Sequence, residues 1–367
     1  MASSAALQCL VLVLPAVVIV LYVLTAFPHT PESLVLHPSL SSLPHDCRSW
    51  QIYPDDFFDG GAYAAFPLGR VRYWLLGPQD GSRVRLISIP PSLLTSVPGR
   101  PHPRPLRPFH HLARRRSSVG PQRFPRSGIR CVVLPPITST LTPTTDLYGR
   151  GYSDAPQTTY DVSLYVTQLA LLLQYIGWEK ANLAGISMGG AVAAAFAVQF
   201  PHLVTGSIAL MATTGIVDPG DLSRTSRFLS SPLMQIITSS SPFRLYLKHL
   251  ANNDTSIDDP FSELIRIQSA HLPGYNPAIA SSIRDGPIRN LAPVFAQLGR
   301  QTRKSGGSAL IIWGTDDGVV PYRYAKRVQT LIPEAQLVTL QGAKHDLTVT
   351  HPEDVVNHLS AFFKEVG

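Results

Sequence analysis

Cysteine is scarce in this chain: Cys9, Cys47 and Cys131 are the only three among 367 residues. Cys9 lies in an apolar run, so at most one disulfide can join the other two, and neither a disulfide scaffold nor a zinc cluster is expected. His110 and His111 are adjacent but have no acidic or cysteine companion, so they are not read as a metal site. No metal and no cofactor are expected. Internal repeats are absent too. Charge is missing altogether from Ala5 to Phe27, and both acidic residues and lysine are missing from Ser88 to Thr145. These two local absences mark the unusual parts of the chain. The remainder, in a sequence that is 44% hydrophobic, is ample for a sizeable core.

The uncharged stretch contains Leu10-Val11-Leu12-Val13-Leu14 and Val17-Val18-Ile19-Val20-Leu21. About 20 apolar residues cross a bilayer as a helix, and Pro15 is tolerable in such a helix. The competing reading is a cleaved signal peptide. Against it, the run exceeds the usual apolar core of about 7–15 residues, and no basic residue precedes it. Residues 5–27 are therefore expected to form a single-pass N-terminal anchor. Its orientation is undetermined, since the first basic residue after it is Arg48. Residues 28–60, containing proline and serine, read as a linker.

From Ser88 to Thr145 there are nine arginines and twelve prolines. Taking nine charges from the formal net of +7 leaves −2, so the basic character belongs to this segment. A basic patch can attract nucleic acid or anionic lipid, but no nucleic-acid module or interleaved aromatics accompany it, and no nucleic-acid partner is expected. Two readings compete: a disordered insertion, or a stretch translated from a wrong frame or a retained intron. The abrupt edges favour the second. A strand is expected at Ile129-Arg130-Cys131-Val132-Val133-Leu134, separated from Asp146 by Pro135 to Thr145.

What the chain does have is Gly185-Ile186-Ser187-Met188-Gly189, set between an apolar run, Ala181-Asn182-Leu183-Ala184, and an alanine-rich helical stretch, Gly190 to Gln199. A Gly-x-Ser-x-Gly between strand and helix is the pattern of a nucleophile elbow. The tight turn exposes the serine hydroxyl, and the next backbone N–H, that of Met188, faces a developing oxyanion. Gly185 and Gly189 keep the turn free of side chains. Further on, the buried-strand pattern Ser308 to Trp313 runs into Gly314-Thr315-Asp316-Asp317-Gly318-Val319-Val320-Pro321. A helical stretch, Tyr322 to Leu331, follows. A last strand, Gln336 to Leu340, then leads to Gly342-Ala343-Lys344-His345. A serine hydroxyl needs a base to take its proton. Histidine can take that proton and return it, and a carboxylate holds the imidazole in the right tautomer.

On these motifs the chain resembles an α/β-hydrolase-fold serine hydrolase over about 61–367. The resemblance implies an α/β fold with a mostly parallel central sheet flanked by helices and a helical cap. The core would comprise 61–214 and 308–367, and the cap 215–307. It implies Ser187 as nucleophile, His345 as base, and Asp317 rather than Asp316 as the acid, by the pattern Gly-x-x-Asp-x-x-Val-Pro. Asp218 is a second candidate acid, because some relatives place the acid one strand earlier. The loop Asp146-Leu147-Tyr148-Gly149-Arg150-Gly151-Tyr152-Ser153-Asp154 resembles a structural segment of the family, with Arg150 and Tyr152 as secondary candidates for substrate contact. A helix is expected over Tyr160 to Ile176, stopped by Gly177. One family feature is missing. A His-Gly pair should follow the third core strand and supply the second oxyanion donor, yet the chain reads Ser88-Ile89-Pro90-Pro91, and proline has no N–H to give.

The function implied is ester hydrolysis through an acyl-enzyme, impaired by that missing donor. Membrane anchoring points to a lipid-like ester such as a monoacylglycerol as the substrate, an expectation that rests on the resemblance to membrane-anchored esterases and acylglycerol lipases. The alternatives are a carbon–carbon bond hydrolase of the same fold and a catalytically weak, membrane-anchored scaffold. Epoxide hydrolases and haloalkane dehalogenases of this fold carry aspartate at the elbow, so Ser187 argues against both. The frame-error reading predicts a transcript that departs from the stated codons between 88 and 145; transcript sequencing that returns them unchanged would exclude it.

Overall fold

The computed structural model describes residues 17–18, 34–58, 60–76, 84–89, 140–222, 224–253 and 260–365. The chain divides into two units, 1–35 and 36–367. Of the first, four residues are described, and the expected anchor at 5–27 lies outside the described residues apart from Val17 and Val18. Among the described residues no helix is long and apolar enough to cross a membrane. The single-pass anchor and the localisation drawn from it are corrected accordingly.

The second unit is built on an eight-stranded sheet. In chain order the strands are β1 (Leu36–His37), β2 (Gly61–Phe66), β3 (Gly69–Leu76), β4 (Val84–Ile89), β5 (Thr140–Thr145), β6 (Ala155–Pro156), β7 (Ala181–Ile186), β8 (Val204–Met211), β9 (Ser308–Gly314) and β10 (Gln336–Leu340). The large sheet runs β10-β9-β8-β7-β4-β5-β3-β2, and β1 pairs separately with β6. From β10 through to β5 every neighbouring pair is parallel; β3 pairs antiparallel with both β5 and β2. This matches the expected α/β fold class. The central strands β7, β8 and β9 are nearly continuous apolar runs because helices cover both faces of a parallel sheet.

The principal helices of the core are α2 (Val162–Tyr175), α3 (Met188–Gln199), α9 (Ala292–Ser305), α10 (Arg323–Leu331) and α12 (Pro352–Glu365). Helix α2 starts where the Asp161 carboxylate accepts the N–H of Leu164, at 2.9 Å, a standard N-cap. It ends before Gly177, which has φ +70°, a backbone that glycine adopts at little cost. Helix α3 is buried on nearly every side. Five of its residues are alanines, and these small side chains let it lie close to β7 and β8. Between β8 and β9 come α4 (Arg224–Leu229), α5 (Pro232–Ser239), α6 (Ser241–Asn253), α7 (Pro260–His271) and α8 (Tyr275–Arg284), followed by α9. Helix α9 packs on α3, α10, β8 and β9, and its Phe295 and Leu298 belong to the main core. Helix α9, which falls within the expected cap at 215–307, thus packs against the sheet.

Two other expectations change. The stretch expected as a linker packs from Leu36 onward. Leu40, Leu43 and Tyr53 join Trp74, Tyr152, Leu264 and Ile267 in a second apolar cluster, and the short helix α1 (Ser49–Ile52) adjoins α7. The fourth core strand was expected at Ile129 to Leu134, which lie outside the described residues; the strand beside β4 and directly before Asp146 is β5. Pro143 disguised it. Proline has no N–H for a ladder and argues against an inner strand, yet here it sits opposite Leu75 between β3 and β4. Both margins of the arginine-rich segment are thus strands of the sheet.

The loop after β5 joins several parts of this unit. Tyr148 N–H donates to Gln168 Oε1 of α2 at 3.0 Å, and Gly151 N–H to Gln268 Oε1 of α7 at 2.8 Å. Leu40 N–H donates to the Gly151 carbonyl at 3.0 Å. Asp146 accepts from Tyr152 N–H at 2.9 Å and from Tyr53 OH at 3.4 Å. Desolvation outweighs these bonds and pushes the Asp146 carboxyl up to about 7. A carboxyl raised in the folded state binds a proton that the unfolded chain, titrating near 4, has already released. Stability therefore falls as pH rises from about 4 to about 7 and is flat above. Asp146→Asn keeps an acceptor for Tyr152 and removes the titration. Thermal unfolding of both proteins should show the variant gaining about 2 kcal/mol on the wild type between pH 5 and pH 8; a gap that does not move would mean an ordinary carboxyl.

Candidate active site

Ser187 occupies the sharp turn between β7 and α3, with φ 54° and ψ −124°. A non-glycine residue in that region is strained and persists only where its surroundings over-determine it. Here they do. Ser187 N–H donates to the Met211 carbonyl at 2.9 Å, and the Ser187 carbonyl accepts from the N–H groups of Gly190 and Thr214, each at 3.1 Å. The turn has no room for side chains. A Cβ on Gly185 would collide with the Gly189 carbonyl oxygen, and one on Gly190 would meet Thr213 Oγ1. Met188 is the first residue of α3, so its N–H lies among those that have no acceptor within their own helix.

His345 lies between β10 and the short helix α11 (Leu347–Thr350). Its Nε2 is 3.0 Å from Ser187 Oγ and its Nδ1 is 2.8 Å from Asp317 Oδ2. The second oxygen of Asp317 accepts the N–H groups of Val319 and Val320, at 2.9 and 2.8 Å. The Asp317 side chain is wholly buried and that of His345 nearly so. With both carboxylate oxygens occupied, the imidazole has one orientation in which Nδ1–H faces the acid and Nε2 is left to accept the serine proton. The arrangement can activate a hydroxyl for attack on an electrophilic carbon.

The structure brings together Ser187, His345 and Asp317 of the sequence candidates and separates the others. Asp316 is exposed and accepts from the Thr315 hydroxyl. Asp218 is held by Arg327, at 3.0 Å, and by the Tyr324 hydroxyl, at 3.2 Å, on α10, so it does not serve as the partner of His345. Arg150 and Tyr152 are buried in packing. Arg150 donates to Tyr165 OH at 2.6 Å and to Ser282 Oγ at 2.8 Å, and Tyr152 OH donates to the Tyr53 carbonyl. Pro90, Pro91, His110 and His111 lie outside the described residues. The contribution of the Val319 and Val320 amides was not foreseen; the spacing of Asp317 two and three residues ahead of them was the available signal.

A family model described as alpha/beta hydrolase fold matches residues 144–352. An uncharacterized protein of Mycobacterium tuberculosis is 28% identical over 210 residues, covering 54% of this chain and 60% of that protein. The chain thus spans less than two thirds of the length of that relative. A 2-hydroxy-6-oxo-2,4-heptadienoate hydrolase of Pseudomonas putida is 27% identical over 197 residues, covering 52% of this chain and 67% of that one. Among solved structures, an enol-lactonase from Burkholderia xenovorans superposes with a TM-score of 0.55 at 16% identity, covering 83% of this chain and 100% of that chain.

The packing at the turn yields a direct test. Gly185→Ala inserts a methyl group against the Gly189 carbonyl oxygen, and overpacking of this kind costs about 1–3 kcal/mol. A lower melting temperature together with weaker reaction of Ser187 with a serine-directed probe is expected; an unchanged melting temperature would show that the turn can relax.

Proposed function

The chain belongs to the α/β-hydrolase fold family, and on that premise we propose that it hydrolyses a carboxylic ester through an acyl-enzyme formed on Ser187. The observation that carries this reading is the unbroken chain of contacts from Ser187 Oγ through His345 to the buried Asp317. Ser187 Oγ forms a bond to the acyl carbon while His345 Nε2 takes its proton. Asp317 holds Nδ1–H and stabilises the imidazolium. The Met188 N–H stabilises the negative oxygen of the tetrahedral adduct. As the adduct collapses, the bond to the leaving oxygen breaks and His345 gives that oxygen its proton. A water deprotonated by His345 then releases the acid and regenerates Ser187.

Lipid-like esters lose their main support with the N-terminal anchor, so the proposal is an ester without a fixed acyl class. A second reading has a specific observation in its favour: the Pseudomonas putida relative is named for hydrolysis of a heptadienoate. The same serine and base would then serve cleavage of a carbon–carbon bond next to a ketone.

A fluorophosphonate probe reacts with an activated serine whichever bond is the natural target. Labelling of the full chain should be lost in Ser187→Ala and fall steeply in His345→Ala. Removing a triad member costs several powers of ten in related chemistry. Turnover of a p-nitrophenyl ester but not of a ring-cleavage dienoate would support the ester reading; the reverse would support the second. A folded protein that does not label would overturn both and leave a non-catalytic scaffold.

A further inference from the structure

The acid is held by two backbone N–H groups, and those groups have to be held by something else. The loop carrying Asp317 leaves β9 at Gly314 and enters α10 at Arg323. Its first half is tied to the end of β10 and the turn that leads to His345. Thr315 N–H donates to the Leu340 carbonyl and Asp316 N–H to the Ala343 carbonyl, each at 3.0 Å, and Gly342 N–H donates to Thr315 Oγ1 at 2.8 Å. Its second half, Gly318 to Val320, has no such tie to the histidine turn. Gly318 and Val319 are exposed. Besides the two bonds to Asp317 Oδ1, a side chain from the strand reaches this half. The indole Nε1–H of Trp313 donates to the Val320 carbonyl at 2.9 Å, and both residues are buried.

We infer that Trp313 is a positioning residue for the proposed reaction: by clamping the Val320 carbonyl it aims the Val319 and Val320 N–H groups at Asp317 Oδ1 and so sets the direction in which Asp317 Oδ2 meets His345. The inference rests on the reading of Ser187, His345 and Asp317 as a triad. Trp313 spans seven residues to close the loop into a ring, and the acid sits inside that ring. A buried indole N–H normally finds some acceptor, and satisfying its own burial would require nothing more. The acceptor chosen here, however, belongs to the residue whose N–H holds the acid. Loss of the indole donor strands the Val320 carbonyl without a partner, which favours movement of the loop toward water. Movement there turns the two amides away from Oδ1. Displacements of about 1 Å in a reacting arrangement can cost about 100-fold.

The test uses Trp313→Phe in the full chain, alongside replacement of Trp313 by its benzothienyl isostere, which keeps the shape of the indole and lacks the N–H. Rates of fluorophosphonate labelling are followed against pH, with Ser187→Ala as the reference for specific reaction. The far-downfield proton resonance of the His345–Asp317 hydrogen bond is followed by NMR. We expect the isostere to melt within a few degrees of the wild type, to label about 10-fold more slowly or worse, and to weaken or lose the downfield resonance. The acidic limb of its rate profile should move to lower pH, because the imidazolium has lost part of its carboxylate partner. A change confined to melting temperature, with resonance, limb and rate preserved, would overturn the inference. The resonance is read without any reaction at Ser187. Failure of the wild type to label would therefore count against the triad reading, whereas an unaltered resonance in the isostere would count against the role of Trp313.

Discussion

Everything at the candidate site depends on one strained turn. Ser187 is held at a positive φ because the surrounding backbone allows nothing else: its carbonyl is gripped from two sides, its N–H is committed to the end of β8, and the neighbouring glycines leave no slack. The strain is useful only because the turn is rigid. A relaxed serine would sink into an ordinary helix start, and its hydroxyl would drift from His345. The alanines of α3 serve the same end, since a helix with larger side chains could not approach β7 closely enough to hold the corner.

The remaining groups arrive by the logic of a parallel sheet. Ser187 follows β7, Asp317 follows β9 and His345 follows β10, and parallel pairing brings the ends of these strands to one edge. Ligands of open α/β sheets bind at that edge. Within it, the acid and histidine loops brace each other: the same short stretch that ends in His345 accepts and donates the bonds that seat Thr315 and Asp316. A Cβ on Gly314 would strike the Ala343 carbonyl oxygen, so the two loops touch backbone to backbone. Displacing one displaces the other, which is how the distance between imidazole and carboxylate stays short without the two being neighbours in the chain.

Much of this was legible in the residues, for reasons that can be named. The turn at Ser187 announces itself because glycine alone fits at positions such as 185 and 190, where a Cβ would collide with the facing backbone or Thr213. Asp317 stands out from Asp316 only through the resemblance to Gly-x-x-Asp-x-x-Val-Pro, and in the structure it is the Asp317 carboxylate that meets His345, at 2.8 Å. Other features were hidden for equally physical reasons. Pro143 concealed β5, since a single missing donor is tolerated when the neighbouring residues of the strand still pair and Thr144 and Thr145 still bury. Residues 36–58 looked like a linker because their proline and serine content suggests exposure. Their packing, however, is spread over single large side chains such as Leu40 and Tyr53 that show no periodicity. Helix α9 was assigned to the cap by its position between strands, and only packing reveals that it covers the sheet.

Arg150 shows how the loop after β5 couples these parts. Its guanidinium is buried beneath α8 with no carboxylate partner among the described residues, bonded instead to the hydroxyls of Tyr165 and Ser282 and stacked on the Tyr165 ring. Burying a cation without a counter-charge is costly unless its donors are satisfied; Nη1 also donates to the Tyr148 carbonyl at 3.2 Å while Nε is left without a partner, so losing either hydroxyl would add to an existing cost. Tyr165 belongs to the core helix α2 and Ser282 to the inserted helix α8. One charged group therefore binds the insertion to the core through contacts that weaken sharply if either side moves, and Gln268 reaching from α7 to the Gly151 N–H does the same a few residues away. The insertion is thereby fastened along its later helices, α7 and α8. Its earlier helices, α4 to α6, instead carry the exposed Phe228, Leu233, Ile236 and Leu245. They are joined to the later part through Arg284 of α8, which donates to the Ser230 carbonyl at 3.3 Å and to Gln235 Oε1 at 2.8 Å, so the whole insertion reaches the core by way of α7 and α8.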